Sequence, residues 1–130
     1  MRIRSLSLQA VRDVVRARQL AREEAQRLGF GLANQTRLAT AVSEIARNAI
    51  SHGGGGEMTL EVESNGQTTL TVTVSDHGPG IADVALALTN GWSSGDGLGA
   101  GLPGARRLVH AFNIRSAPGQ GTTVTMSMTA

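Results

Sequence analysis

The sequence predicts an α/β fold, a two-layer sandwich in which helices cover one face of a mixed, mostly antiparallel sheet. Two segments have the apolar spacing of amphipathic helices, and two others alternate apolar and polar residues as half-buried strands do. These segments follow one another over 130 residues, a length typical of one domain. We therefore predict a single domain over residues 1–130, with its helices on one side of the sheet.

Three segments are predicted to be helical. The first covers residues 10–28, where the apolar residues recur every three or four positions and form one stripe. The second runs from about Asn34, a candidate N-cap residue, to about Ser51. Its stripe consists of Leu38, Val42, Ile45 and Ala49. The third covers about residues 101–111, with Pro103 in its first turn, where proline is tolerated.

The predicted strands follow the second helix. Apolar and polar residues alternate over residues 58–63 and again over 69–74, so each strand buries one face. Asn65-Gly66 lies between them and is a strong hairpin signal. We predict further strands over residues 112–116 and 122–129, while residues 2–8 give only a weak strand signal.

Composition excludes several classes of chemistry. All twelve basic residues are arginine, which removes lysine-dependent sites, and cysteine is absent, which removes disulfides and thiolate metal sites. No apolar stretch reaches the roughly 18 residues of a membrane helix, and no secretory signal is evident, so we expect a cytoplasmic protein without membrane partners. Nine arginines lie in residues 1–47, but only three aromatic residues are present to stack on bases. This favours a solvated arginine-coated surface over nucleic-acid binding.

The first candidate site is a pair of residues on the second helix. Glu44 and Asn48 are four positions apart, so their side chains point the same way. A carboxylate can accept a proton, and an amide oxygen is a hard ligand suited to Mg²⁺. Because such pairs are common on solvated helices, this one indicates a site only together with other motifs.

The second candidate site directly follows a predicted strand. Asp76 begins the run Asp-His-Gly-Pro-Gly, which contains Gly78 and Gly80. A carboxylate there can accept a hydrogen bond from the amino group of a nucleobase, and glycine lets the backbone approach a ligand closely. The same run is also typical of an ordinary turn. The residues alone leave both interpretations open.

The third candidate site opens the third helix with the glycine-rich run of residues 97–104. Backbone N–H groups at the start of a helix favour phosphate binding. The run contains the pattern G-x-G-x-x-G, but no strand leads directly into it and no acidic residue follows about 20 positions later. A dinucleotide-binding fold is therefore not predicted, and the absence of lysine excludes a Walker loop.

The order of these motifs resembles the GHKL (Bergerat-type) ATP-binding fold of histidine-kinase catalytic domains, gyrase-type ATPases and bacterial partner-switching serine kinases. Residues 37–48 and 97–104 are most similar to the RsbT-type switch kinases. Those kinases resemble anti-sigma factors, but they phosphorylate a serine or threonine of a small STAS-domain antagonist protein. The resemblance covers nearly the whole chain and implies an ATP-dependent serine/threonine protein kinase.

The resemblance also implies roles for individual residues, with ATP and Mg²⁺ as cofactors. Glu44 is expected to accept the proton of the substrate hydroxyl, Asn48 to hold Mg²⁺, and Asp76 to bind the adenine amino group. The other residues expected to contact the nucleotide are Gly78, Gly80, Gly97, Gly99, Gly101 and Thr122. A STAS-domain substrate is the expected partner, and a sigma factor or a PP2C-type phosphatase is a further candidate.

A second class of function remains open at this point. An anti-sigma factor, or a docking protein that binds ATP as a conformational ligand, would have the same fold. Glu44 favours catalysis because a protein that only docks needs no base. A histidine-kinase fragment is disfavoured because the first helix contains no histidine, and a gyrase-like ATPase would need a second, transducing domain.

Overall fold

The computed structural model describes residues 1–88 and 101–130. Five strands and four helices follow one another along this part of the chain. In order they are β1 (Arg2–Leu8), α1 (Val11–Arg27), α2 (Leu32–Ser51), β2 (Gly56–Asn65), β3 (Gln67–Asp76), α3 (Val84–Ala87), α4 (Gly101–Leu108), β4 (Ala111–Ser116) and β5 (Thr122–Thr129). The predicted α/β sandwich is confirmed.

The five strands form one sheet in the order β1-β2-β3-β5-β4. Each of its four pairings is antiparallel, so the part of the sheet that the structure describes contains no parallel pair. The β2–β3 hairpin is confirmed, with Asn65 paired to Gln67 across Gly66, which has a φ of +83°. Because β5 lies between β3 and β4, the end of β3 meets the connection between β4 and β5.

The core lies between the sheet and the helix layer. The alternating residues of β3 and β5 that face the helices are buried, and they include Leu70, Val72, Met126 and Met128. The predicted stripe of α2 is buried as well, with Leu38 and Val42 fully inaccessible to solvent. Burying one such side chain stabilises the folded protein by about 1.5–3 kcal/mol. The period-2 and period-3.6 patterns therefore correctly identified which faces meet.

Three predicted boundaries differ from the structure. The prediction of Asn34 as N-cap of α2 is wrong, since the helix begins at Leu32 after Gly31, whose backbone is extended. The buried Phe30 fixes this entry, and its carbonyl oxygen accepts a hydrogen bond of 2.9 Å from Gln35 Nε2. Helix α4 ends at Leu108, three residues early, because Ala111 already pairs with β5. The weak segment at residues 2–8 is a strand that pairs with β2.

The start of α1 is capped by its own third residue. Asp13 Oδ2 accepts hydrogen bonds from the backbone N–H groups of Gln9 at 2.9 Å and Ala10 at 3.0 Å. These two bonds, with smaller contributions from the charges of Arg12 and Arg16, outweigh desolvation and lower the pKa of Asp13.

No helix in the described residues has the length and apolarity needed to cross a membrane.

Candidate functional site

A cavity of about 590 Å³ opens between α2 and the ends of β3 and β5. Such a volume lies within the range of small-molecule sites. Its walls are largely apolar and include Ile45, Val74, Ile81, Leu86, Leu102 and Val124. Four of the residues predicted from the sequence line it: Asn48, Asp76, Gly80 and Thr122. The fold thus brings motifs from three separate segments to one cavity.

Asp76 is held in place by backbone groups. Its Oδ1 accepts hydrogen bonds from the N–H of Gly78 at 2.9 Å and from the N–H of Thr122 at 3.2 Å. Oδ2 accepts neither of these bonds and lies beside Gly53, where an added Cβ would come within 2.6 Å of it. One carboxylate oxygen is therefore used for orientation, which leaves the other for a ligand in the cavity.

Gly80 lets the loop after β3 turn beneath the cavity. Its φ is +77°, and a Cβ there would overlap the carbonyl oxygen of Ala117. An L-residue is disfavoured at this φ, and any side chain would push apart the loop and the β4–β5 connection. The glycine is thus required by both backbone conformation and space, as the sequence motif suggested.

Thr122 lies opposite Asp76 in the β3–β5 ladder and opposite Ser116 in the β4–β5 ladder. Its Oγ1 is 2.8 Å from Ser116 Oγ. Ser116 Oγ also accepts a hydrogen bond from the N–H of Ile81 and donates one to the carbonyl oxygen of Gly121, both at 2.8 Å. A polar network therefore joins three strand ends and the loop after β3 at one wall of the cavity.

Asn48 also lines the cavity, from the last turns of α2. The first residue of α4, Gly101, packs against it so closely that an added Cβ would be 3.2 Å from Asn48 Nδ2. The amide of Asn48 and the backbone at the start of α4 are thus adjacent. Together they present an oxygen ligand and the backbone N–H groups of a helix start, a combination that suits a magnesium-bound phosphate.

Glu44 lies one helical turn before Asn48 and is not among the described residues that line the cavity. Its Oε1 accepts a hydrogen bond of 3.1 Å from Arg47 Nη1, and 22 % of its side chain is exposed. A carboxylate at this depth can be reached by a hydroxyl group of a docked molecule. Glu44 therefore forms an ion pair with Arg47, one helical turn away on α2.

The remaining predicted residues are placed as follows. Gly78 donates its N–H to Asp76 and packs against Gly53. Gly97 and Gly99 lie outside the described residues. Arg106 and Arg107, the basic residues of the last turn of α4, are exposed.

Two residues of the site escaped the sequence prediction. Gly53 belongs to a run of four glycines that the sequence explains simply as the end of a helix, yet its backbone packs directly on Asp76. Ser116 lies at the end of an unremarkable strand, and no local pattern marks it. Gly53 contacts Asp76, 23 positions later, and Ser116 contacts Ile81, 35 positions earlier, so neither role can be read from a local pattern.

Comparisons with known proteins identify the family of the chain. Residues 33–130 match the family model of histidine kinase-, DNA gyrase B- and HSP90-like ATPases. The chain is 44 % identical over 113 residues to the serine/threonine-protein kinase RsbT of Bacillus subtilis (strain 168), covering 86 % of this chain and 85 % of that protein. It is 33 % identical over 101 residues to the anti-sigma F factor of Pasteuria penetrans, covering 70 % and 65 %.

Solved structures share the fold at lower identity. The RsbU and RsbW domains of a Mycobacterium tuberculosis protein match 98 % of this chain with a TM-score of 0.64 and 19 % identity, and this chain spans 33 % of that longer one. The mycobacterial sensor histidine kinase MprB matches 97 % of this chain and 96 % of its own, with a TM-score of 0.59 and 18 % identity. The predicted GHKL fold is confirmed: the chain belongs to the histidine kinase-, DNA gyrase B- and HSP90-like ATPase family, and within it the chain is a homologue of the serine/threonine-protein kinase RsbT.

Proposed function

We propose that the protein is an ATP-dependent serine/threonine kinase of a partner-switching module, which phosphorylates a small STAS-domain protein. One observation carries the proposal: Asp76 and Asn48 line a single, largely apolar cavity of about 590 Å³. A carboxylate that can bind the adenine amino group and an amide that can bind a metal ion thus line the same cavity, as binding of a nucleotide requires. The identity to RsbT over most of both chains supports the same activity.

The adenine end of the proposed site is the wall built by Asp76 and Thr122. Asp76 Oδ1 is fixed by two backbone N–H groups, so the carboxylate is already oriented before a ligand enters. Its other oxygen accepts a hydrogen bond from the adenine amino group. Apolar residues such as Ile81 and Val124 cover the faces of the base.

The phosphate end is the junction of α2 and α4. Asn48 supplies an amide oxygen to Mg²⁺, and the backbone at Gly101 contributes N–H groups. Within residues 1–88 and 101–130, no cluster of three or more acidic or histidine side chains could hold a metal. Mg²⁺ in nucleotide sites takes most of its oxygen ligands from water and phosphates and needs few from the protein, so a single amide oxygen would suffice here. When bound, the ion neutralises the charge that develops on the phosphates.

Glu44 is the proposed base. It lies on the same face of α2 as Asn48 and is partly exposed, so a serine or threonine hydroxyl of a docked protein can reach it. Glu44 accepts the hydroxyl proton as the oxygen attacks the γ-phosphorus of ATP, and the bond from that phosphorus to the β–γ bridging oxygen breaks to release ADP. Arg47 orients the carboxylate through the 3.1 Å hydrogen bond from its Nη1.

The direct test is phosphoryl transfer. The protein is incubated with γ-labelled ATP, Mg²⁺ and candidate STAS-domain proteins, and labelled protein is quantified. We expect label on a serine or threonine of one STAS-domain protein, and none when that residue is replaced by alanine. Nucleotide binding without transfer to any of them would contradict the kinase proposal.

A second candidate function is docking with ATP as a conformational ligand. The observation that favours it is the 33 % identity to an anti-sigma F factor. In that case the Glu44→Ala variant would bind its partner and release it upon ATP addition as the wild type does. Kinase activity and docking are thus separated by this one variant.

A further inference from the structure

The hydroxyl of Ser116 lies at the crossing of three segments of the site. Its Oγ is 2.8 Å from each of three atoms: the backbone nitrogen of Ile81, the carbonyl oxygen of Gly121 and Oγ1 of Thr122. A serine hydroxyl has one proton to donate and two lone pairs that accept. Three neighbours therefore saturate it completely.

The direction of each bond follows from the chemistry of the partners. The N–H of Ile81 can only donate, and the carbonyl oxygen of Gly121 can only accept. Since that carbonyl oxygen has no proton, the proton in its 2.8 Å contact must come from Ser116. The single proton of Ser116 is thus directed to Gly121, which is buried. The contact between Ser116 and Thr122 then requires Thr122 to donate.

The consequence for Thr122 is a fixed polarity. Because its only hydroxyl proton is directed to Ser116, Oγ1 of Thr122 offers lone pairs alone to its other neighbours. Thr122 lines the cavity beside Asp76, whose carboxylate is also an acceptor. This wall of the cavity therefore accepts hydrogen bonds and has no side-chain hydroxyl proton left to donate.

We infer that Ser116 is a positioning residue that fixes the Thr122 hydroxyl as an acceptor and thereby enforces selection of 6-aminopurine over 6-oxopurine nucleotides. The inference rests on the proposed nucleotide site. A 6-amino group donates to this wall, either directly or through a water, whereas a 6-oxo group brings another acceptor towards it. Without the Ser116 hydroxyl, Thr122 is free to rotate and to donate its proton to a 6-oxo group.

The test compares ADP with IDP, which carries a 6-oxo group and lacks the additional 2-amino group of GDP. Dissociation constants are measured by calorimetry for the wild type, Ser116→Val and Ser116→Thr. Valine and threonine have nearly the same shape, but valine has a methyl group where threonine has its hydroxyl. We expect the preference for ADP over IDP to fall about tenfold in Ser116→Val, the scale of one hydrogen bond, and to be retained in Ser116→Thr.

A double-variant cycle shows whether Ser116 acts through Thr122. In a Thr122→Val background, Ser116→Val should cause no further fall in the ADP preference. A further tenfold fall there would overturn the inference. So would a Ser116→Val protein that loses affinity for ADP and IDP by the same factor, because that is the result of a purely structural role.

Two further outcomes separate this inference from the proposed function. A wild-type protein that binds neither nucleotide would overturn both. A wild-type protein that prefers ADP, with unchanged preference in Ser116→Val, would overturn the inference alone. Ser116→Ala, which adds no atoms to the network, replaces Ser116→Val in the same comparison if thermal unfolding shows that valine prevents folding.

Discussion

The backbone N–H of Thr122 donates a hydrogen bond of 3.2 Å to Oδ1 of Asp76, from the neighbouring strand of the sheet. The two residues are 46 positions apart in the chain and directly opposite in the β3–β5 register. A shift of one residue in that register would turn Thr122 away from the carboxylate. The orientation of the proposed adenine-reading group is therefore set by the pairing of the sheet.

Replacing Asp76 by asparagine should weaken ATP binding by about 1–3 kcal/mol. The asparagine oxygen can still accept hydrogen bonds from the two backbone N–H groups. Its NH₂ group then faces the adenine amino group, and the two cannot bond because both are donors. Calorimetry with ATP measures the loss. Glu63→Gln, an exposed change on β2, is the matched control and should bind normally. Unchanged affinity in Asp76→Asn, or equal affinity of the wild type for ATP and GTP, would contradict the assigned role.

Replacing Glu44 by alanine should abolish most phosphoryl transfer and leave ATP affinity nearly unchanged. A general base contributes on the order of 10²–10⁴-fold in rate, whereas Glu44 is not among the described residues that line the cavity. Single-turnover transfer of labelled phosphate and a binding titration measure the two properties separately. Glu23→Ala, an exposed carboxylate on α1, is the control. Transfer at the wild-type rate by Glu44→Ala would show that the base lies elsewhere.

Replacing Asn48 by alanine should remove the dependence of ATP binding on Mg²⁺. The expected reason is the loss of the only protein oxygen that we assign to the ion. Dissociation constants for ATP are compared in Mg²⁺ and in chelator. Asn48→Asp keeps an oxygen ligand at the same position and should retain the magnesium effect. If Asn48→Ala still responds to Mg²⁺ as the wild type does, another group holds the ion.

Gly80 and Gly119 form a matched pair for testing the loop beneath the cavity. Their φ values are +77° and +76°, but a Cβ at Gly119 meets nothing within 4 Å, whereas one at Gly80 overlaps Ala117. Gly119→Ala should cost about 1–2 kcal/mol of unfolding free energy, from the backbone conformation alone. Gly80→Ala should cost more and also weaken ATP binding, because the loop must move. Denaturant titrations compare the two variants, and equal losses would exclude a steric role for the Gly80 contact.

The lowered pKa of Asp13 predicts a contribution to stability that depends on pH. The hydrogen bonds from Gln9 and Ala10 place its pKa in the folded protein below the ordinary 3.8. The contribution is therefore complete at neutral pH and is lost as pH falls below about 4, where the unfolded chain takes up the proton first. Denaturant titrations between pH 7 and pH 3 should show this loss in the wild type, and a smaller one in Asp13→Asn. Glu23→Gln, on the same helix but exposed, should follow the wild type.

Local patterns determined much of this protein. The spacing of apolar residues predicted α1, α2 and the buried rows of β2 and β3, because burial of one face imposes a period of 3.6 or 2. Asn65-Gly66 predicted the hairpin, since glycine adopts the positive φ that the turn needs. The order of the motifs resembles a known family and therefore also predicted three residues of the cavity, Asp76, Gly80 and Thr122.

Contacts between distant segments decided the rest. The start of α2 is set by burial of Phe30, and the end of α4 by the pairing of Ala111, neither of which a helical pattern contains. Ser116 became part of the site only when the β4–β5 register placed it beside Thr122. A sequence motif records which groups are available, but hydrogen-bond polarity depends on which other donors and acceptors lie within about 3 Å. That property belongs to the folded chain alone.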